Sequence, residues 1–540
     1  MSSKLLQGLI KFEARAERNK MENLEETFVD NDFLFSSIDS SQNQIFFGRR
    51  GTGKTHALKY LKARKDESKE CVAYFDIRTI GSTMGFYSDG TIGLAERGTR
   101  LLRDLLQELH GHLLEYFQDH QETYDFSKVA PFLNSFAENI TEVRINGSVS
   151  VKEKESDELK QEDNTSFGFS VSDKGVAANL TGAHKKSGLN SLSSERDRSG
   201  TEIYYFHFGS ISKDLKNIIK ATNIRIWILL DEWSELPLEL QPFLSDMIKK
   251  IFFPISNFTF KIAAIEYRSK FSIYNNDNRI GFELGADISP DLNLDDLLVF
   301  DNNMERATKF FNFFLFRHFN TILEEIGEEK LANEDEFISK IFTNIDTFKE
   351  FVRASEGVPR DAMYMLGVAA QKSRGLPISV NTIRESAKIA YDRTKATSIV
   401  ENTDAAKLLK WIIDSVIGEK QSRAFLFSAN KRDRLIDFLY DSRVIHILKK
   451  NIGSQDEAGE RYDVFKLDTG CYIDLYRTKR FPKSLLSKDV TGRADDQLTF
   501  ETTNEEELDD GNHDINLPPD NFRSYRRSIL DLDKFYKTIK

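Results

Sequence analysis

The sequence of 540 residues holds only two cysteines, Cys71 and Cys471, and only ten prolines. The two thiols sit far apart in apolar, strand-like runs, which excludes a dense disulfide framework and suits small core side chains in a reducing compartment. No apolar run approaches the ~20 residues that a membrane helix needs. The start, Met1-Ser2-Ser3-Lys4, leads into an amphipathic stretch dense in Glu and Arg, without the apolar core of a signal peptide. These absences exclude a membrane span and predict a cytoplasmic protein. Positive charge is also short: the formal net charge is −11, against a chain that coats nucleic acid indiscriminately, although one local basic face remains open to it.

What is present is an ordinary soluble composition, 40% hydrophobic and 30% charged with 42 phenylalanines, enough for two to four domains of roughly 150 residues each. Its most specific stretch is Gly48-Arg49-Arg50-Gly51-Thr52-Gly53-Lys54-Thr55, a full match to G-x-x-x-x-G-K-[ST]. Asn43–Phe47 reads as a short buried strand before it, and the run from His56 to Leu61 opens a helix after it, the context a P-loop requires. Glycines let successive N–H groups close round phosphate oxygens at the positive end of a helix. The motif predicts ATP contacts for Gly48, Arg49, Arg50, Gly51, Thr52, Gly53, Lys54, Thr55 and His56, with Lys54 on the β- and γ-phosphates and the Thr55 hydroxyl on Mg²⁺.

Residues 8–35 read as intermittently helical, and Thr27-Phe28-Val29 is a candidate wall of an adenine pocket or plain core. Cys71–Ile77 is the next strand, 96–118 a long amphipathic helix. From about 140 to 200 the composition turns to Ser, Lys, Glu, Gly and Asn with period-2 alternation, so a β-hairpin or polar loop is expected to emerge from the core. The sheet is expected to resume at Ile203–Phe206. Ile224–Leu230 is a near-continuous apolar strand ending in Asp231-Glu232, a Walker B pattern in which Asp231 holds Mg²⁺ and Glu232 orients or deprotonates the attacking water. Phe258–Ile265 is another strand, and Arg268 at its tip is the candidate to reach the γ-phosphate.

Residues 304–396 read as helical, with Phe310, Phe311, Phe313, Phe314 and Phe316 close together. Within them Glu356-Gly357-Val358-Pro359-Arg360 ends one helix and starts another, so that Arg360 can point back at the phosphates. In residues 402–483 a helix over 404–417 is followed by a helical 431–450 with exposed Lys431, Arg432, Arg434, Arg443, Lys449 and Lys450. A hairpin is predicted to turn at Asp468-Thr469-Gly470. Helices, a hairpin and basic side chains fit a winged helix that binds duplex DNA, or one that binds protein. Residues 486–519 form an acidic linker, and 520–540 a docked C-terminal helix.

P-loop, Walker B, strand-tip residue, Gly-x-Pro-Arg lid and winged helix, in that order, resemble the AAA+ ATPases of the origin-recognition (ORC) type, most of all their bacterial branch. Phe47–Leu61, Leu229–Glu235, Lys261–Phe271 and Arg461–Asp474 carry the likeness. It implies an α/β fold, a P-loop NTPase with an AAA+-type parallel sheet, a β-rich insertion, a helical lid and a C-terminal winged helix. The units would be 1–300, 301–400 and 401–485. It also implies ATP and Mg²⁺ as cofactors, slow hydrolysis, double-stranded DNA as partner, a homo-oligomer, and Arg360 as sensor 2. The strand-tip position, usually Asn, Thr or Ser in that family, falls here within Glu266–Ser269. Arg268 together with Gly-x-Pro also resembles the STAND ATPases, nucleotide-controlled switches that recruit a protein partner, here from a neighbouring gene. Proteins of this look often sit in phage-defence or mobile-element gene sets.

Overall fold

Alternate residues of the strand Ile226–Asp231 enter different cores. Ile226, Ile228 and Leu230 pack into one, and Trp227 and Leu229 into the other. A strand covered on both faces must be apolar at every position, which is why this run has no period-2 gap. The computed structural model describes residues 3–12, 21–30, 34–80, 90–141, 143–146, 149–151, 196–198, 201–204, 206–275, 278–297, 303–420, 422–453, 459–473 and 528–539.

In chain order the sheet-bearing core is built from β1 (Gln44–Phe47), α1 (Lys54–Glu67), β2 (Cys71–Asp76), α2 (Leu94–Asp119), β3 (Ile226–Asp231), α3 (Gln241–Phe252), β4 (Phe258–Ala264), β5 (Ser289–Asn293) and the short helix α4 (Leu294–Leu297). The five strands form one sheet in the order β5-β1-β4-β3-β2, with every pairing parallel. This order sets β4 between the phosphate-loop strand and the Walker B strand, so the loop, the strand tip and the two acids gather at the carboxyl ends, where open α/β sheets bind ligands. Side chains of α2 and α3 cover one face and those of α1 the other.

The expected core strand at Ile203–Phe206 is not part of this sheet. Thr201–Tyr204 pairs antiparallel with Val143–Asn146, and Val149–Val151 with Arg196–Arg198, so these four short strands make two separate two-stranded sheets. The apolar alternation over 167–180 lies outside the described residues.

The helical unit comprises α5 (Met304–Glu325), two helices over Glu334–Ile341 and Ile345–Ala354, α6 (Pro359–Ser373) and α7 (Val380–Thr394). Its phenylalanines are its core: Phe311, Phe319, Phe337, Phe348 and Phe351 pack together. The N-terminal helix Ser3–Ile10 joins this unit through Leu9, and a Cβ at Gly8 would stand 3.0 Å from the Phe319 ring, so the glycine permits the approach.

The C-terminal module runs α8 (Thr403–Ile412), β6 (Ala424–Ser428), α9 (Arg434–Asp441), β7 (Ile445–Gly453) and β8 (Arg461–Leu467). Its strands form an antiparallel sheet in the order β6-β8-β7. The helix expected over 431–450 is therefore a helix followed by a strand, and the hairpin partner of Tyr462–Leu467 precedes it rather than following it. Asp468-Thr469-Gly470 is no strand-to-strand turn: Asp468 caps the short helix Thr469–Tyr472, its side chain accepting from the Gly470 N–H at 3.0 Å. After the acidic stretch 486–519, which lies outside the described residues, α10 (Leu532–Ile539) returns to the module. Leu530 N donates to Leu426 O at 2.8 Å, and the Phe535 and Trp411 rings lie 5.6 Å apart. No described helix is long and apolar enough to cross a membrane.

Candidate functional site

Gly51 and Gly53 have φ of +92° and +100°, a region open to glycine and costly for other residues. A Cβ at Gly51 would also stand 2.6 Å from Arg360 Cβ, and one at Gly48 2.5 Å from Thr52 Oγ1, so both glycines make room for close neighbours. Thr52 Oγ1 donates to Arg49 O at 2.9 Å. Lys54, at the first position of α1, is almost fully buried and its Nζ donates to Gly48 O at 2.7 Å and Arg49 O at 3.0 Å. Burial holds its ammonium below the ordinary lysine range, against the pull of Glu232 and Asp231. Thr55 follows on the same turn, half-buried.

Asp231 ends β3 fully buried. Its Oδ1 accepts from the Glu232 N–H at 2.8 Å and its Oδ2 from the Tyr74 hydroxyl at 2.9 Å; burial raises that phenol above its ordinary range, so it stays a donor. Glu232 has φ 57° and ψ 37°. Burial and Asp231 raise its carboxyl above the usual range, with Lys54 and Arg78 opposing. Arg78 Nη1 lies 3.8 Å from Glu232 Oε1. A hydroxyl and a carboxylate are hard oxygen donors, and two of them suit Mg²⁺, which takes its other ligands from phosphates and water.

An apolar pocket opens beside the loop, lined by Thr27, Phe28, Val29, His56, Phe310 and Phe314 among others. The segment proposed from sequence for the base thus lies next to the loop. His56 Nε2 bonds to Leu24 O at 2.9 Å, and burial holds its imidazole below the ordinary range, so it lines the pocket neutral. On the other side Arg360, in the first turn of α6, donates its N–H to Gly51 O at 3.2 Å. The lid arginine and the loop are therefore in backbone contact.

Arg268 sits in the single turn after β4. Its guanidinium faces two carboxylates, Asp441 of α9 at 3.7 Å and Glu235 at 3.9 Å; Arg50 pairs with the same Glu235 at 2.5 Å. Burial pushes the Asp441 carboxyl up to about 6. Sequence reasoning missed Tyr74, Arg78, Glu235 and Asp441 at the site, and also Asp295, Tyr440 and His446, which surround Arg49. None has a local motif; they reach the site through sheet order and module packing. Two cations expected to be exposed are half-buried in ion pairs instead: Arg443 pairs with Asp361 of the lid and Lys450 with Glu266 of the core.

No curated protein matches this sequence. Among solved structures, the Walker-type ATPase PABY2304 of Pyrococcus abyssi aligns over 87% of this chain and 99% of its own, at 11% identity and a TM-score of 0.37. Cdc6p from Pyrobaculum aerophilum aligns over 87% and 95%, at 10% identity and a TM-score of 0.31. The Aeropyrum pernix Orc1 protein in complex with DNA aligns over 88% and 98%, at 14% identity and a TM-score of 0.28. Scores this low carry no argument of their own. A family model does: residues 12–347, more than half of the chain, match ORC-CDC6-like. With the P-loop, the parallel sheet and the Walker B acids in place, the chain belongs to the ORC-CDC6-like family.

Proposed function

We propose that the chain is an AAA+ ATPase that binds ATP with Mg²⁺ between the core and the lid and couples nucleotide state to duplex-DNA binding through its C-terminal module. The observation that carries the reading is the convergence at one cleft of the loop, Asp231-Glu232 and Arg360, contributed by β1, β3 and α6. Gly48 to His56 would cradle the phosphates, and Thr55 and Asp231 would hold the ion, which when bound polarises the phosphoryl oxygens. Lys54 balances charge on the β- and γ-phosphates. Glu232, its carboxyl held above the usual range by burial and Asp231, takes the proton of the attacking water. Arg360 brings a cation to the developing charge from the lid, and Arg268, at the tip of β4 between Glu235 and Asp441, is the second candidate cation.

For DNA, the support is charge placement and element order. Helix, strand, helix and hairpin follow one another as in a winged helix, and Lys431, Arg432 and Arg434 at the start of α9 are exposed with Lys449 and Arg461 of the hairpin. We read the assembly as a homo-oligomer, as AAA+ proteins commonly work. Duplex affinity of the full chain, titrated with ATP and with ADP across a salt series, tests the reading. ATP should tighten binding, and affinity should fall steeply with salt.

One observation favours a second reading. The module packs directly on the phosphate loop, with Arg49 reaching His446 at 2.7 Å, an arrangement suited to a STAND-like switch that recruits a protein. In that case nucleotide exchange moves the module while duplex DNA binds equally poorly in both states.

A further inference from the structure

Arg49 occupies a variable position of the phosphate loop, and phosphate binding does not require its side chain to be buried. Yet only 3% of it is exposed, because the guanidinium leaves the loop and enters the C-terminal module. Nε donates to Asp295 Oδ1 at 2.8 Å. Nη1 lies 2.7 Å from His446 Nδ1 and 3.3 Å from the Ile445 carbonyl, and the guanidinium carbon lies 4.8 Å from the Tyr440 ring centroid. The Tyr440 hydroxyl donates to Asp295 Oδ2 at 3.1 Å, and so does the Arg49 N–H at 2.8 Å. A buried guanidinium without partners is strongly unfavourable. Here Asp295 comes from the core and the other partners from the module, so satisfying Arg49 requires the module to be docked.

His446 is the middle of a longer relay. Burial and the neighbouring Arg49 hold its imidazole well below the ordinary range, so the ring is neutral. A proton on Nε2 then donates to Asp468 Oδ2 at 3.1 Å, and the Nδ1 lone pair faces Arg49. Asp468 Oδ2 also accepts from Lys395 Nζ at 2.6 Å, and Lys395 reaches Asp361 at 3.0 Å. Asp361 is the chain neighbour of Arg360. Buried polar contacts therefore run from the second residue of the phosphate loop, through the module, to the residue beside the lid arginine.

We propose that His446 and Asp468 are positioning residues of the ATP site, acting through Arg49 and Lys395 so that ATP binding and docking of the C-terminal module are one coupled equilibrium. The backbone of Arg49 shows how the coupling reaches the phosphates. Its carbonyl accepts from Lys54 Nζ and from the Thr52 hydroxyl, and its N–H is tied to Asp295. Displacing its side chain shifts the two groups that meet the ligand. Coupling is reciprocal, so ATP stabilises the docked module by the factor by which docking tightens ATP.

The inference rests on reading Gly48–Thr55 as the ATP site and is independent of DNA binding. Its test is the ATP dissociation constant of the full chain, by calorimetry, for wild type, H446L, H446N, R49M and the double variant R49M/H446L. H446L should weaken ATP roughly 5- to 150-fold, the usual span of such coupling. H446N, which keeps an acceptor opposite Arg49, should recover most of the loss, and the double variant should be no weaker than either single one. Amide exchange over residues 434–453 should slow on ATP saturation in wild type and not in H446L. Unchanged ATP affinity in H446L, or additive losses in the double variant, overturns the proposal. If H446L does not fold, R49K serves: it keeps a charge for Asp295 but cannot bridge to His446, and wild-type affinity in R49K overturns the proposal equally. Wild-type ATP affinity in Lys54→Ala would instead remove the ATP-site reading itself.

Discussion

Glu232 holds a left-handed backbone, φ 57°, which costs a residue with a side chain about 1–3 kcal/mol and persists where the surroundings impose it. Here the Asp231 carboxylate accepts its N–H, and the conformation turns the side chain toward Arg78. Glu232→Gln should retain ATP binding and lower kcat by 10²-fold or more, on the order of what a general base contributes; single-turnover assays check it, and wild-type turnover would refute the assigned role. Away from the site, Lys261 is fully buried in β4, its Nζ bonded to Ser40 O at 2.7 Å, Gln42 O at 3.0 Å and Gln44 Oε1. Burial lowers its ammonium from 10.5 to about 7. A depressed folded value means the group's contribution to stability is complete above 10.5 and is lost as pH falls toward 7. Chemical denaturation from pH 7 to 10 should therefore show wild-type stability rising relative to Lys261→Met, by up to ~1.4 kcal/mol per pH unit. Parallel curves would contradict it.

Among the elements, those whose burial is symmetrical were legible and those whose chemistry serves two geometries were not. The strand β3 is apolar throughout because two cores need it, and the P-loop spacing dictates its own strand and helix. Val444 to Leu448 is buried without a gap, and so short a run does not separate helix from strand by period. Asp468 misled for a related reason: a short carboxylate that accepts a nearby N–H serves a turn or a helix cap equally. At the site the motif residues were readable, while Asp295, Tyr440 and His446 were not, since each meets Arg49 only after hundreds of residues fold between them. The docked α10 carries its own prediction. Phe535 is 2% exposed in the module core, so Phe535→Ala should cost about 3–5 kcal/mol, seen as a lower Tm of the module. An unchanged Tm would mean the helix contributes nothing to it.

At the scale of the whole molecule, the module meets both other units through ion pairs beside aromatic contacts, Tyr267 of the core and Tyr391 of the lid packing against it. Lys450 pairs with Glu266 and Asp441 with Arg268 toward the core, and Arg443 pairs with Asp361 and Asp468 with Lys395 toward the lid. Lys466 and the Thr469 hydroxyl both meet Glu356 of the lid at 3.0 and 2.7 Å. Such contacts are satisfied only in register and lose much when one partner shifts, which suits a module whose position reports on the nucleotide. In the proposed function the exposed cations of α9 and the hairpin would turn that position into grip on DNA. The most direct measurement is the dissociation constant of the full chain for duplex DNA, with ATP and with ADP at one salt concentration, using Glu232→Gln to hold ATP uncleaved. The account predicts tighter binding with ATP, and equal binding in the two nucleotide states would contradict it.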